Sequence, residues 1–377
     1  MTGPCPDSFH RSTSRLALTV ALAVGMGALL ALPSAHSAAA PATDSLDLPA
    51  LRVDEQLPAP LLAVTRAGDA LISVGLHGLI QRSIDGGQTW QQVDSPVSSD
   101  LVQVRFRDER NGWIVGHDAL VLHSTDGGRS WQVQLDGRQL LTLLNDYYGP
   151  RAEQGDESAA LVLKEIQMAV GTSATPGVLA APFLDVLFDD QGQGFAVGAF
   201  GMVLHSLDNG QSWEPWIERS DNERRMHLYG LAEHAGTFYI SGEQGLLLRL
   251  EAGQQRLVRI ETPYSGTYFG VRAFDQLLLA YGLRGNLFAS RDDGQHWQAL
   301  ATHLNSSLVS IVEQGPELIV VSQGGQLVKL DRQSLKVTAL PDARVGEVYA
   351  ASATAQAGSL VVTRFSGAKV IDIARAD

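Results

Sequence analysis

Residues 108–131 read DERNGWIVGHDALVLHSTDGGRSW, and the parts of this stretch recur along the chain. Its last eight residues form a box, Ser-x-Asp-x-Gly-x-x-Trp, that appears four times: SIDGGQTW at 83–90, STDGGRSW at 124–131, SLDNGQSW at 206–213 and SRDDGQHW at 290–297. Four copies with four fixed positions each define an internal repeat. The residue types suit a hairpin turn that also anchors a sheet. Serine and aspartate bond the turn's own amides, glycine supplies a positive φ, and tryptophan opens the next strand with a large apolar surface. Asp85, Asp126, Asp208 and Asp292 are therefore read as turn-forming carboxylates, and Trp90, Trp131, Trp213 and Trp297 as core indoles.

Upstream of each box lies a strand, a short loop and a second strand: VGLHGLIQRS at 74–83, VGHDALVLHS at 115–124, VGAFGMVLHS at 197–206 and YGLRGNLFAS at 281–290. The element recurs without a full box as SGEQGLLLRL at 241–250, VSQGGQLVKL at 321–330 and, more weakly, TRFSGAKVID at 363–372. Its second residue falls at 75, 116, 198, 242, 282, 322 and 364, a period of about 41 with one doubled gap. That period with alternating strands fits one four-stranded propeller blade. The expected fold is all-β: a seven-bladed β-propeller with four-stranded blades. The chain ends shortly after the third strand of the last blade, so the segment 46–56 is expected to close the ring beside the strand that contains Val370.

The doubled gap holds an insertion between blades 2 and 3, about residues 135–182, which is helical in character. Leu140, Leu141, Leu144 and Tyr148 share one stripe, a second run over 158–170 carries Leu161, Ile166 and Met168, and Gly149–Pro150 is expected to break the two. Antiparallel strands put alternate loops on opposite faces of a ring. The boxes then lie on one face, and the short loops, the links between blades and the insertion lie on the other. That second face should gather His77, His117, Phe200, Glu243 and Arg284, with Tyr268 and Phe269 at the start of the fifth inner strand and Arg272 nearby. Aromatic, arginine and mixed polar side chains suit recognition of a partner. His77 and His117 sit at matching positions on adjacent blades, but with no third ligand in the sequence no metal is expected.

The first 38 residues read as an export signal, with Arg11 and Arg15 before an apolar run from 16 to 32 and small residues around Ser37 and Ala38. Residues 39–377 are then one propeller domain, placed in the periplasm or an equivalent extracytoplasmic space. No later segment is apolar for long enough to span a membrane. Cys5, the only cysteine, lies in the signal, which removes thiol catalysis, cysteine metal sites and disulfides from the mature domain. The net charge of −13 argues against nucleic acid and anionic membrane surfaces as partners. No phosphate loop, nucleophile elbow or dinucleotide fingerprint is present, and no cofactor is expected.

The combined pattern, best seen in 108–131 and again in 190–213, resembles the photosystem II assembly-factor family of seven-bladed propellers and their non-photosynthetic bacterial relatives. The resemblance covers about 60–377 apart from the insertion. It implies a non-enzymatic scaffold that binds a membrane-associated protein complex, such as an envelope transporter, through an arginine-bearing face to which Arg284 and Arg272 would correspond. The boxes also occur in sialidases, so a sialidase-type glycoside hydrolase and a carbohydrate- or lipid-binding propeller are the alternatives. A sialidase needs an arginine cluster and a tyrosine nucleophile paired with an acid. The only comparable Arg-Ile pair, Arg259–Ile260, runs into Glu261 and lacks the signature.

Overall fold

The four boxes fold alike, and their geometry explains why the sequence repeats. Ser83 Oγ donates to Asp85 Oδ1 at 2.8 Å and accepts the Gly87 amide at 2.9 Å. Asp85 in turn accepts the Thr89 amide at 3.0 Å and the Thr89 hydroxyl at 2.6 Å. The same serine, aspartate and glycine bonds recur around Asp126, Asp208 and Asp292. These donors favour the charged carboxylate. The Thr89 hydroxyl and amide hold Asp85 well below the usual carboxylate range, and the His296 amide and ring bring Asp292 down to about 2.

The structure, a computed structural model, describes residues 44–53, 58–173, 175–340 and 345–373. Its strands form seven antiparallel meanders over 61–93, 101–135, 183–215, 228–259, 268–299, 308–340 and 350–372, six of four strands and the last of three. This is the seven-bladed propeller expected from the repeat. Consecutive innermost strands lie against one another, and the first, Leu61–Ala67, lies against Ala350–Ala353 of the seventh blade. Neighbouring blades interlock through the boxes. A Cβ on Gly128 would lie 2.7 Å from Ile72 of blade 1, one on Gly294 would lie 3.0 Å from Ile260 of blade 4, and one on Gly87 would lie 3.1 Å from Val370 of blade 7. Blade 1 thus seats on blade 7 as the other blades seat on their predecessors. The indoles divide: Trp131 and Trp213 are buried, whereas Trp90 and Trp297 are half-buried.

The N-terminal segment does not pair where it was expected. Among the described residues no strand joins the free edge of Gly367–Asp372. Residues 44–53 instead run along the outside of blade 1, where Ser98 N–H donates to Ser45 O, Ala50 N–H donates to Ser95 O, and Leu46 packs with Val97, Leu101 and Val178. Burial of Leu46 in that pocket, together with Arg138 gripping Asp47 at 2.8 Å, fixes the segment there. Residues 54–56 of the expected closing strand lie outside the described residues.

The insertion folds into two helices, α1 (Gly137–Glu153) and α2 (Glu157–Gly171). Asp136 caps α1 in a reciprocal bond with Gln139, and Asp156 caps α2 by accepting the Ala159 amide. Gly149–Pro150 does not separate them: α1 runs through both, and the break comes at Gly155, which has φ +89°. Leu140, Leu144 and Tyr148 of α1 and Ala159, Val162 and Ile166 of α2 enter one core with Trp113, Phe183, Met202 and Trp213. Tyr148 Oη and Arg151 both bond the Glu218 carboxylate at 2.6 Å. The hairpin is therefore built into blades 2 and 3.

Two outcomes follow for stability. The depressed pKa of Asp292 means that the unfolded chain takes up protons first as acid is added. Its stabilisation is complete above about pH 4 and is lost as the pH falls through about 2. Asp292→Asn should flatten the acid limb of the pH–stability profile, and an unchanged limb would contradict the box geometry. Trp131→Ala should cost about 3–5 kcal/mol in urea unfolding, and Trp90→Ala clearly less because its indole keeps contact with water; equal losses would contradict the division.

Candidate binding site at the channel mouth and the helical insertion

The short loops take their form from a steric demand. In blade 1 a Cβ on Gly75 would sit 1.9 Å from Pro60 O, and in blade 5 a Cβ on Gly285, at φ +75°, would sit 2.0 Å from Leu304 O of the incoming link. Glycine is required wherever the links press on the turns. The residue at the tip adopts the left-handed conformation in His77, Asp118, Phe200, Gln244 and Arg284, with φ between 53° and 58°. His77, Phe200, Gln244 and Arg284 are exposed there. Each turn also bonds back to its own blade, as in Leu76 N–H to Pro60 O, His117 N–H to Asp100 O and Leu283 N–H to Thr267 O.

A second regularity sets the channel mouth. Each of the first six inner strands carries a β-bulge after its first residue, so that Leu62, Val102, Leu184, Tyr229, Phe269 and Val309 are the extra residues. A bulge re-aims its side chain. The preceding residues, Leu61, Leu101, Phe183, Leu228, Tyr268 and Leu308, are all fully buried. The extra ones are half-exposed. Leu62, Val102 and Val309, with Tyr349 of blade 7, line a central cavity of about 500 Å³, and Tyr229 meets Phe269 edge-on at 5.4 Å.

Arg105, Arg272 and Tyr281 lie deeper in this cavity. Arg105 makes a bidentate pair with Asp185, at 3.0 and 2.7 Å, and Asp185 also accepts the Leu231 amide at 2.8 Å. That fully buried carboxylate ties blades 2, 3 and 4 together. Tyr281 reaches the channel over Gly270, where a Cβ would lie 2.3 Å from the phenol.

A groove of about 620 Å³ runs between α2 and the third blade, lined by Val162, Ile166, Met168, Phe200, Met202 and Ile217. Met168 and Phe200 are 64% and 63% exposed. Arg225 and Glu165 form an ion pair at 2.9 Å on its wall.

The residues expected at the recognition face are therefore distributed over several places. Phe200 borders the groove, and its amide donates to His227 Nδ1 at 3.1 Å. Glu243 accepts the His227 amide at 2.9 Å. His77 and His117 flank Asp100, which accepts the His77 amide through its side chain and the His117 amide through its carbonyl. Arg284 is exposed on its turn. Two expectations change. Tyr268 is a core residue at 0% exposure, because the bulge turns Phe269 outward in its place. Arg272 pairs with Leu279, well down the strand from the Arg284 turn, and belongs to the channel. Of the bulge residues only Phe269, and of the groove only Phe200, were among the expected recognition residues; the bulges themselves, the other five extra residues and the groove were missed from the sequence.

The family model described as photosynthesis system II assembly factor YCF48 matches residues 62–141 and 177–334. The photosystem II assembly lipoprotein Ycf48 of Synechococcus sp. (strain CC9902) is 26% identical over 122 residues, which is 32% of this chain and 37% of that protein's length. A structure of YCF48 bound to D1 peptide superimposes with a TM-score of 0.58 at 17% identity, covering 85% of this chain and 98% of that one. YCF48 from Cyanidioschyzon merolae gives 0.57 at 14% identity, covering 84% and 95%. PorZ, a surface component of the type-IX secretion system of Porphyromonas gingivalis, gives 0.52 at 9% identity, covering 84% of this chain and 38% of PorZ. The match extends over most of the repeats and omits 142–176, so this chain belongs to the photosynthesis system II assembly factor YCF48 family and carries in addition a helical hairpin that the family model does not include.

Proposed function

We propose that this protein is an exported, non-enzymatic assembly scaffold that captures an apolar segment of a membrane-associated protein complex, such as an envelope transporter, and that it works in the periplasm or an equivalent compartment. The observation that carries the reading is the groove between α2 and blade 3, an apolar channel rimmed by exposed Met168 and Phe200. Contiguous exposed apolar surface of this kind marks interaction sites. It lies beside 142–176, the internal gap in the family match, so in this reading the partner is set by a feature outside that match. A relative's structure holds a D1 peptide, which supports peptide capture as a use of the fold.

The glycosidase alternative would need Glu243 and Arg272 to act together. Glu243 is engaged by the His227 amide at the turn face, and Arg272 lies down the channel. This favours binding over hydrolysis.

Excising 140–175 would remove Leu140, Leu144 and Tyr148 from the core of blades 2 and 3, so substitutions at the groove rim are the cleaner test. A photo-crosslinking side chain at Met168 or Phe200, introduced in intact cells, should give an adduct in the membrane fraction, and one at Gln88 on the box face should not. Phe200→Glu should reduce the Met168 adduct at least several-fold in protein that unfolds at the same urea concentration. Equal adducts from both faces would refute the docking. N-terminal sequencing of protein from the periplasmic fraction should find a start near residue 38, and an intact Met1 there would refute the cleaved leader.

A further inference from the structure

Two hydrogen-bond donors in the central channel have no acceptor among the described residues. Arg272 makes neither a hydrogen bond nor an ion pair there; its guanidinium lies 5.6 Å from the Phe274 ring centroid. Neither carboxylate near it is free: Asp185 is held by Arg105, and Glu313 is held by Arg332 at 2.7 Å. Arg66, which also lines the cavity, donates to the carbonyl of Gly68, two residues on. The hydroxyl of Tyr281 likewise bonds no described residue, although Gly270 leaves the gap that lets it reach the channel. Burial and the adjacent Arg105 charge pull the Arg272 pKa below the usual guanidinium range, the mark of a cation with too little compensation. Arg272 is half-buried in the cavity wall, a partly desolvated cation with no ion pair of its own.

We propose that the channel is a carboxylate-binding site, in which Arg272 and Tyr281 hold one carboxylate group. The ligand class follows from the charges. One unpaired guanidinium and one neutral hydroxyl match a monoanion, and the planar fork of arginine fits a planar carboxylate in two parallel bonds. A dianion would meet Asp185 and Glu313 without further cations to offset them. Leu62, Val102, Val309 and Tyr349 line the same cavity with apolar and aromatic surface, which suits an apolar side chain next to the carboxylate. The carboxylate is supplied either by the free C-terminus of a peptide or by a small organic acid. The site is separate from the α2 groove and does not depend on the docking proposed for it.

The test follows the Arg272 Nε–H signal by NMR in the full mature protein, assigned by its loss in Arg272→Gln. Three probes are titrated: sodium acetate, an N-acetylated alanine–leucine peptide with a free C-terminus, and the same peptide amidated. The free-carboxylate peptide should shift the Arg272 signal, and the amidated one should not. Arg272→Gln should weaken binding, read from the resonances of Leu62, Val102 and Val309, at least about tenfold, as expected for a charge-assisted bond; Tyr281→Phe should weaken it less. Tighter binding of the peptide than of acetate assigns the chain terminus as the source, and equal binding assigns the small acid; both support the site. Thermal unfolding gives an independent readout. Arg272→Gln should leave the midpoint unchanged or raise it, because a partly desolvated charge that makes no ion pair is removed. No response to either carboxylate, equal binding of the amidated peptide, or a lowered midpoint with unchanged affinity would overturn the proposal.

Discussion

Each sheet of this protein is apolar on both faces, and no backbone hydrogen bond within the named strands joins one sheet to the next. That constraint organises the rest of the molecule. A sheet that must bury two faces needs a neighbour on each side, and a row of such sheets leaves no bare face only if the last packs on the first. The contacts between blades are made by side chains, on one another or on the neighbour's backbone, so their quality rests on small residues at the points of closest approach. Gly128 against Ile72 and Gly87 against Val370 are those points. The box turns exist to place them: a serine and an aspartate spend their hydrogen bonds inside the turn, which fixes the glycine and starts the strand that follows it.

The centre of the ring is held differently. Inner strands converge there and bring polar side chains into a narrow space, where an unpaired charge is expensive. Asp185 resolves part of this by accepting from Arg105 of one neighbouring blade and from the Leu231 amide of the other. Blades 2, 3 and 4 are thereby tied at the axis as well as at their faces. The bulge in each of the first six inner strands separates two functions in adjacent residues, with one apolar side chain buried between blades and the next left half-exposed.

The hairpin of α1 and α2 adds a surface to a ring that is otherwise regular. Its attachment is firm, since Tyr148 and Arg151 share Glu218 and the apolar stripes of both helices enter the core of blades 2 and 3. A rigid attachment keeps the groove preformed, which lowers the entropic cost of binding a segment there. Leu161 and Met168 remain outside that core, at 54% and 64% exposure. The helix therefore has one face for the fold and another that the fold does not use.

The blades were legible in the sequence because the demands that set them are local. A box turn needs its serine, aspartate and glycine within a few residues, and VGxxG needs glycine where the link presses on the turn, so the repeat appears as fixed spacing. The helices of the insertion were legible for the same reason, as apolar stripes, though their caps at Asp136 and Asp156 were not read from it. The doublets Leu61–Leu62, Leu101–Val102, Leu228–Tyr229 and Tyr268–Phe269 also stood in the sequence as a break in strict alternation, and they were the available signal for the bulges that leave Phe269 half-exposed against Tyr229 and Tyr268 in the core. Other features belonged to the tertiary structure alone. The seat of Leu46 beside Val97 and Val178, the pairing of Arg105 with Asp185 at a separation of 80 residues, and the solitude of Arg272 depend on which side chains converge once seven sheets share an axis. Burial and charge balance are sums over neighbours from distant parts of the chain, and no local pattern encodes such a sum.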